Sequence, residues 1–174
     1  KDEVIRDMKE SGVSAGDEDC GGEGEADDGL VFGVGDRLAA GSRASYPIPG
    51  GEAEGNAENN YVWEDAVKVA KERGAHLIVA VLGKEEDLLE KGKLCAKVVA
   101  ACCRQENATG IYTSGVVFEP RFYEGFADMM QEDELPIFNW IWFGLWRDEH
   151  GMNGSTHGLD PFGRAARDGL GPDA

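Results

Sequence analysis

The sequence predicts an α+β fold: two ferredoxin-like (split βαβ) halves with mainly antiparallel sheets, joined by a linking helix and cut at both ends. Three observations predict it. The elements read in order as helix, strand, strand, helix, strand, then a linking helix, then strand, helix, strand, strand. The first set is a β-α-β-β-α-β unit without its opening strand, and the second is the same unit without its closing helix and strand. Two apolar segments, Ala75 to Leu82 and Pro136 to Trp146, are suited to be the central strands of the two halves. Hydrophobic residues make up 41% of the 174, enough for a core at this length. The expected division is a first half over residues 1–83, a linking helix over 84–109 and a second half over 110–174.

Each element has a local reason. Val4, Ile5 and Met8 give a short helix one apolar face, and Gly12 stops it. Residues 14–29 carry Gly, Asp and Glu almost without hydrophobes and read as an exposed loop. Leu30 to Val34 and Leu38 to Tyr46 flank the turn pair Gly35-Asp36, a hairpin ended by Pro47 and Pro49. Gly50 to Asn60 is small and polar, a loop whose Asn59 or Asn60 would cap the next helix. In that helix Trp63, Ala66, Val67 and Ala70 recur at helical spacing before Gly74. His76 to Leu82 reads as a central strand covered on both faces. The linking helix, about Glu85 to Glu106, would bury Leu88, Cys95, Val99 and Cys102, and Gly92 weakens its middle. Ile111 to Phe118 reads as one strand. Pro120 opens a helix with Phe122, Phe126, Met129 and Met130 inward. Leu135 to Trp146 reads as a long strand, Ser155 to Phe162 as a return strand, and Gly163 to Ala174 as a loose tail.

Charge narrows the partners. Asp and Glu number 34 against 17 Lys and Arg, a formal net charge of −17. A phosphate backbone needs clustered cations, so nucleic acid is excluded, and a basic protein is the better match. The plainer role of the same acidity is solubility. No apolar run is long enough to span a bilayer, and the charged start Lys1-Asp2-Glu3 is no secretory signal, so a cytoplasmic chain with no membrane contact is expected. Cys20, Cys95, Cys102 and Cys103 form no Cys-x-x-Cys pair and read as buried free thiols in a reducing compartment. The carboxylates of the 14–29 loop lack the ligand order of a calcium loop, so neither metal nor cofactor is expected. The chain opens on Lys1, which fits a fragment, and a missing opening strand would leave a neighbouring edge free for homo-oligomer pairing.

Several ordered blocks are specific. They include Gly51-Glu52-Ala53-Glu54 with Asn59-Asn60, Ala75 to Gly83, and Lys97 to Cys103. Tyr112-Thr113-Ser114-Gly115, Phe118 to Tyr123, and Leu135 to Leu145 follow. Together, over about residues 30–163, the chain resembles the bacterial domain-of-unknown-function family 4261. The resemblance implies a bacterial source but carries no activity and no catalytic residue. It also implies an apolar strand before the first helix and a continuation past Gly163. Neither is in this chain, where Arg164-Ala165-Ala166-Arg167 stands instead.

Three groups could carry chemistry. Cys102 or Cys103 beside Arg104 could be a nucleophile, against the plainer reading of packed helix thiols. Glu119, Pro120 and Arg121 stand between a strand and a helix start, near Tyr112, Ser114 and Tyr123; backbone donors there could hold an anion, or Glu119 could act as acid or base. The plainer reading is solvated charge. On an extended Leu135 to Trp146, Phe138, Trp140, Trp142 and Trp146 would share one face, for core packing or for a partner. Asn139 would fall among the apolar side chains of the other face and need a hydrogen-bond partner. No phosphate loop, nucleophile elbow or His-Glu-x-x-His stretch occurs. The function expected is a non-catalytic protein-interaction module, of the immunity or adaptor kind, binding through Trp140, Trp142, Trp146, Tyr112 and Arg121. The alternative is an enzyme with its site near Glu119, Arg121 and Tyr112, or at Cys102.

Overall fold

The computed structural model describes residues 3, 6, 7, 10, 29–84, 88–159 and 162. The apolar helix face of Val4, Ile5 and Met8, the carboxylate loop up to residue 28, Cys20 and the tail from 163 lie outside the described residues. The chain is mixed α+β with small antiparallel sheets.

Strand β1 (Gly29–Val34) and strand β2 (Arg37–Ala44) form the expected hairpin, in register from Gly29 opposite Ser42 to Val34 opposite Arg37. Gly35 takes φ 61 in its turn, a left-handed conformation that costs glycine little. β2 also pairs antiparallel with strand β3 (His76–Leu82), giving the order β1-β2-β3. The expected central, doubly covered strand is therefore an edge. Leu77, Ile78 and Leu82 are 46%, 55% and 58% exposed. An apolar run alone does not tell a central strand from an edge. Here the small residues Ala39, Ala40 and Gly41 of β2 take the middle place.

Gly50 to Asn60 is not a loop. A 3-10 turn at Pro49–Gly51 leads into helix α1 (Glu52–Ala57), and helix α2 (Ala66–Glu72) follows. Ala53 and Ala57, four apart on α1, are buried against Ala66 and Ala70 of α2. Methyl side chains make this helical face nearly invisible as hydrophobicity, yet they let the two helices approach closely. Arg73 ties them, donating from Nη1 to the Ala70 carbonyl and from Nη2 to Glu54 Oε1 at 3.2 Å. Asn60 does not cap α2. Its Oδ1 accepts from the backbone N–H groups of Val62 and Trp63 at 3.0 and 3.1 Å, and Trp63 precedes the helix.

The linking helix α3 spans Leu88–Cys103. It buries Leu94, Val98 and Ala101 on the first sheet with Phe32 and Ala39, while Val99 and Cys103 turn toward another cluster. Leu88, Cys95, Val99 and Cys102, the expected stripe, are only half-buried. The helix packs on two sides, so its most buried residues fall outside that stripe.

Residues 111–118 are two strands, β4 (Ile111–Thr113) and β5 (Val116–Phe118), not one. Ser114 at φ 51 and Gly115 at φ 74 make the two-residue turn whose twist suits a hairpin. Tyr112 and Val117 face α1 and α2; Ile111, Val116 and Phe118 face Val99, Cys103 and the next helix. That helix, α4 (Pro120–Asp128), opens on Pro120 as expected. Its buried residues are Tyr123 and Ala127; Phe122, Phe126, Met129 and Met130 are half-buried.

The expected strand Leu135 to Trp146 begins as a helix. Pro136 is fully buried, helix α5 covers Ile137–Trp140, and only then do β6 (Trp142–Asp148) and β7 (Gly151–His157) pair. Buried Asn139 donates from Nδ2 to the Tyr123 carbonyl at 3.0 Å, the partner its burial requires. That bond binds α5 to α4 and keeps this segment from extending. The return strand ends at His157, short of Phe162.

Among the described residues every strand pair is antiparallel, and the strands lie in three separate sheets. The parallel pairing of a split βαβ unit is not among them. Packing also crosses residue 83, since α1 and α2 cover the β4–β5 hairpin.

Burial at Phe118 (4% exposed) and exposure at Leu82 set a test. Phe118→Ala is expected to cost about 3–5 kcal/mol in urea unfolding. Leu82→Ala is expected to stay within about 0.5 kcal/mol, as a solvent-facing position does.

Candidate functional site

Tyr112 is drawn into a hydrogen-bonded group by α1. Glu52 and Asn56 lie four residues apart on that helix, on one face. Tyr112 Oη donates to Glu52 Oε1 at 2.7 Å and accepts from Asn56 Nδ2 at 3.0 Å; Asn56 Nδ2 also donates to the Glu52 carbonyl at 2.9 Å. Burial, and then the hydrogen bond to Glu52, push the Tyr112 hydroxyl up to about 12. It keeps its proton near neutral pH and serves as a strut between α1 and the β4–β5 hairpin.

Glu119 stands in extended conformation just before α4 and makes no side-chain cap bond to it. It edges a shallow dent with Asn60, Val62, Trp63, Val117, Phe118 and Phe122. Glu119 and Arg121 are exposed, and among the described residues no ion pair joins them. Tyr112 is engaged with α1, so the three proposed catalytic residues form no shared hydrogen-bonded group among the described residues.

The helix thiols are equally unsuited to attack. Burial raises the Cys102 thiol to about 11 and the Cys103 thiol to about 12. Arg104, the cation beside them, is engaged elsewhere: its Nε donates to Glu124 Oε1 at 2.7 Å and its Nη2 to Asp128 Oδ1 at 3.1 Å. The hydrogen bond to Glu124 is the main cause that raises the Arg104 pKa further. These bonds hold α3 to α4.

Trp142 and Trp146, four apart on β6, keep the expected common face, but Trp140 leaves it. Trp140, in α5, packs against Phe162 with the rings tilted by 42° and centroids 4.9 Å apart, and lies over Gly92, where any Cβ would come within 3.4 Å of it. Gly92, expected only to weaken the helix, is what admits these rings. Trp142 packs inward on Tyr61 at 4.8 Å and on Phe118 at 6.2 Å, and Tyr61 Oη donates to the Phe143 carbonyl at 2.5 Å. Trp146 alone of the three is largely exposed, at 45%. The helical turn at α5 removes Trp140 from strand alternation, so the face shared by all three is lost.

Two arrangements escaped the sequence reading. Ser155 Oγ lies 3.1 Å from His157 Nε2, neighbours on one face of β7, but among the described residues no carboxylate orients the ring. The second is larger. Phe122, Phe126, Phe138 and Phe143 touch in succession, with centroids 4.8, 4.7 and 5.7 Å apart. Phe138 is 46% and Phe143 37% exposed. Leu145 and Met152 continue this ridge across β6 and β7, both more than half exposed. Exposed carboxylates bound it in the chain: Asp128, Glu132, Asp133 and Glu134 before Phe138, and Asp148 and Glu149 at the hairpin tip, with Arg147 between. The i, i+4 spacing of Phe122 and Phe126 was its one local signal.

Among the described residues no group of three or more His, Cys, Asp or Glu could hold a metal ion. Among the same residues no helix is long and apolar enough to cross a membrane. A scan against protein-family models, a search of curated proteins and a search of solved structures each found no match.

The raised thiols set a test near pH 8. In the native chain Cys102 and Cys103 are expected to react with a disulfide reagent about 100-fold more slowly than in urea, because thiolate is the reacting form. Absorbance of the released thiol measures it; equal rates would mean that the helix does not shield them.

Proposed function

We propose that this chain is a non-catalytic protein-interaction module that receives a basic, apolar segment of a partner protein. The observation that carries the reading is the exposed ridge of Phe138, Phe143, Leu145 and Met152, which exposed carboxylates precede and follow in the chain. A contiguous exposed apolar surface bounded by polar groups is characteristic of a binding site. Aromatic anchors supply affinity there, and the carboxylate rim supplies steering and selection by charge. A net charge of −17 adds a long-range field of the same sign. Trp146 stands exposed on the other face of β6, apart from the ridge.

A bacterial cytoplasmic setting, an immunity or adaptor role, and membership of domain-of-unknown-function family 4261 belong to the same proposal. Their support is the ordered sequence blocks, the acidity and the absence of a catalytic motif. A tandem ferredoxin-like arrangement has the order of elements in its favour but lacks the parallel pair. The enzyme alternative lacks a carrier, since the Tyr112 hydroxyl is tied to Glu52 and Asn56.

A fluorescent peptide of alternating Leu and Lys serves as probe. It is expected to bind the native chain and to weaken as salt rises, while a Leu and Glu counterpart stays unbound. Phe138→Ser with Leu145→Ser should weaken binding about tenfold or more by anisotropy, since anchor truncations commonly cost above ~1 kcal/mol. Equal binding by the double variant, or none by the native chain, would overturn the proposal.

A further inference from the structure

Building on the ridge as a protein-binding surface, we propose that the dent edged by Glu119 seats a lysine side chain of the same partner segment. The dent joins two kinds of surface. Val62, Trp63 and Phe122 line it with apolar carbon, Asn60 with an amide and Glu119 with a carboxylate. Trp63 and Phe122 are half-buried, while Val62 and Glu119 are exposed.

The polar groups select a cation. Asn60 is used at both ends: Nδ2 donates to the Val117 carbonyl at 2.5 Å, and Oδ1 accepts from the Val62 and Trp63 amides at 3.0 and 3.1 Å. The Glu119 carboxylate has no such commitment. It makes no cap bond to α4, and among the described residues no ion pair or side-chain hydrogen bond holds it. A carboxylate accepts and does not donate, so its complement is a donor, and on a body of net charge −17 a positive one. Arg121, two residues on, is exposed and does not line the dent. Exposed Glu64 and Asp65 directly follow Trp63 in the chain and add charge of the same sign as Glu119.

Carbon and charge together select lysine among cations. An ammonium is attracted to aromatic rings such as those of Trp63 and Phe122. The lysine stem covers apolar surface while its head stays at a wet rim, the place Glu119 occupies. The dent is shallow, and an ammonium is more compact than a planar guanidinium. Phe122 joins the dent to the ridge. It lies 4.8 Å from Phe126, which lies 4.7 Å from Phe138, centroid to centroid. Phe122 is therefore within about 10 Å of Phe138, a span of roughly three residues of extended chain. One partner segment can set an apolar side chain on Phe138 and a lysine at Glu119.

Anisotropy with the alternating Leu and Lys peptide tests the dent on the full chain. Glu119→Gln is expected to weaken binding about three- to tenfold and to flatten its salt dependence. Glu72→Gln, exposed on α2 and outside the dent, removes the same charge and is expected to change binding by less than about 1.5-fold. In the native chain the peptide should shift the backbone amide resonances of Val62, Trp63 and Glu119. If Phe138→Ser with Leu145→Ser weakens binding while Glu119→Gln matches Glu72→Gln, the lysine site is overturned and the ridge stands. If Glu119→Gln alone weakens binding, the lysine site stands and the ridge is overturned. No binding by the native chain overturns both, and unshifted amides at all three positions overturn the lysine site. Should Glu119→Gln disturb the fold, the amide shifts of the native chain decide alone.

Discussion

Val117 is the point at which three parts of the chain must agree. Its side chain packs among Ala53, Ala57, Ala66 and Ala70, while Val116 and Phe118 on either side point the other way into the cluster of Tyr123. Its carbonyl accepts from Asn60 Nδ2 at 2.5 Å, and the same Asn60 fixes the turn at Val62 and Trp63 through Oδ1. A three-residue strand buried on both faces has no solvent to satisfy its backbone. The sharing of one asparagine between strand and turn is therefore a structural requirement, because a buried acceptor left alone costs about 1–3 kcal/mol. From this sandwich the rest follows: α1 and α2 on one side, α3 and α4 on the other, and the first sheet beyond α3.

What the sequence disclosed was local chemistry. Gly35-Asp36 between alternating strands, helical spacing before Gly74, and proline at a helix start are signals written in a few adjacent residues, and each produced its element. What stayed hidden depends on partners distant in the chain. Ala53 and Ala57 look like loop residues until Val117 and α2 lie against them. Leu77 to Leu82 looks buried until the sheet order leaves it outermost. Trp140 looks like a strand residue until Pro136 and the Asn139 bond to Tyr123 turn the segment into a helix. Apolar content announced that these segments matter, but not which neighbour each would have.

The candidate site shows the same limit from the side of chemistry. Glu119, Arg121 and Tyr112 are close in sequence, and proximity suggested a shared task. The hairpin turn at Ser114-Gly115 and the start of α4 give them different surroundings, and Tyr112 is committed to α1. Cys102 next to Arg104 was a similar suggestion. Its physical test is the thiol pKa: burial raises it, and Arg104 serves Glu124 and Asp128 instead. The surface with the better claim was assembled from Phe126, expected inward on its helix, Phe138, expected beside the tryptophans, and Phe143, expected on the opposite strand face.

Acidity gives the two exposed apolar surfaces different meanings. Exposed carboxylates flank the ridge in the chain, before Phe138 and after Arg147, so the field there favours a basic segment over an acidic one. β3 carries no Lys, Arg, Asp or Glu, and there the surrounding negative field only sets how close an acidic body can come. A chain of net charge −17 that left both surfaces uncharged would be prone to indiscriminate association. On a body of net charge −17, apolar exposure is biased by charge: the field holds off acidic chains and draws in cationic segments.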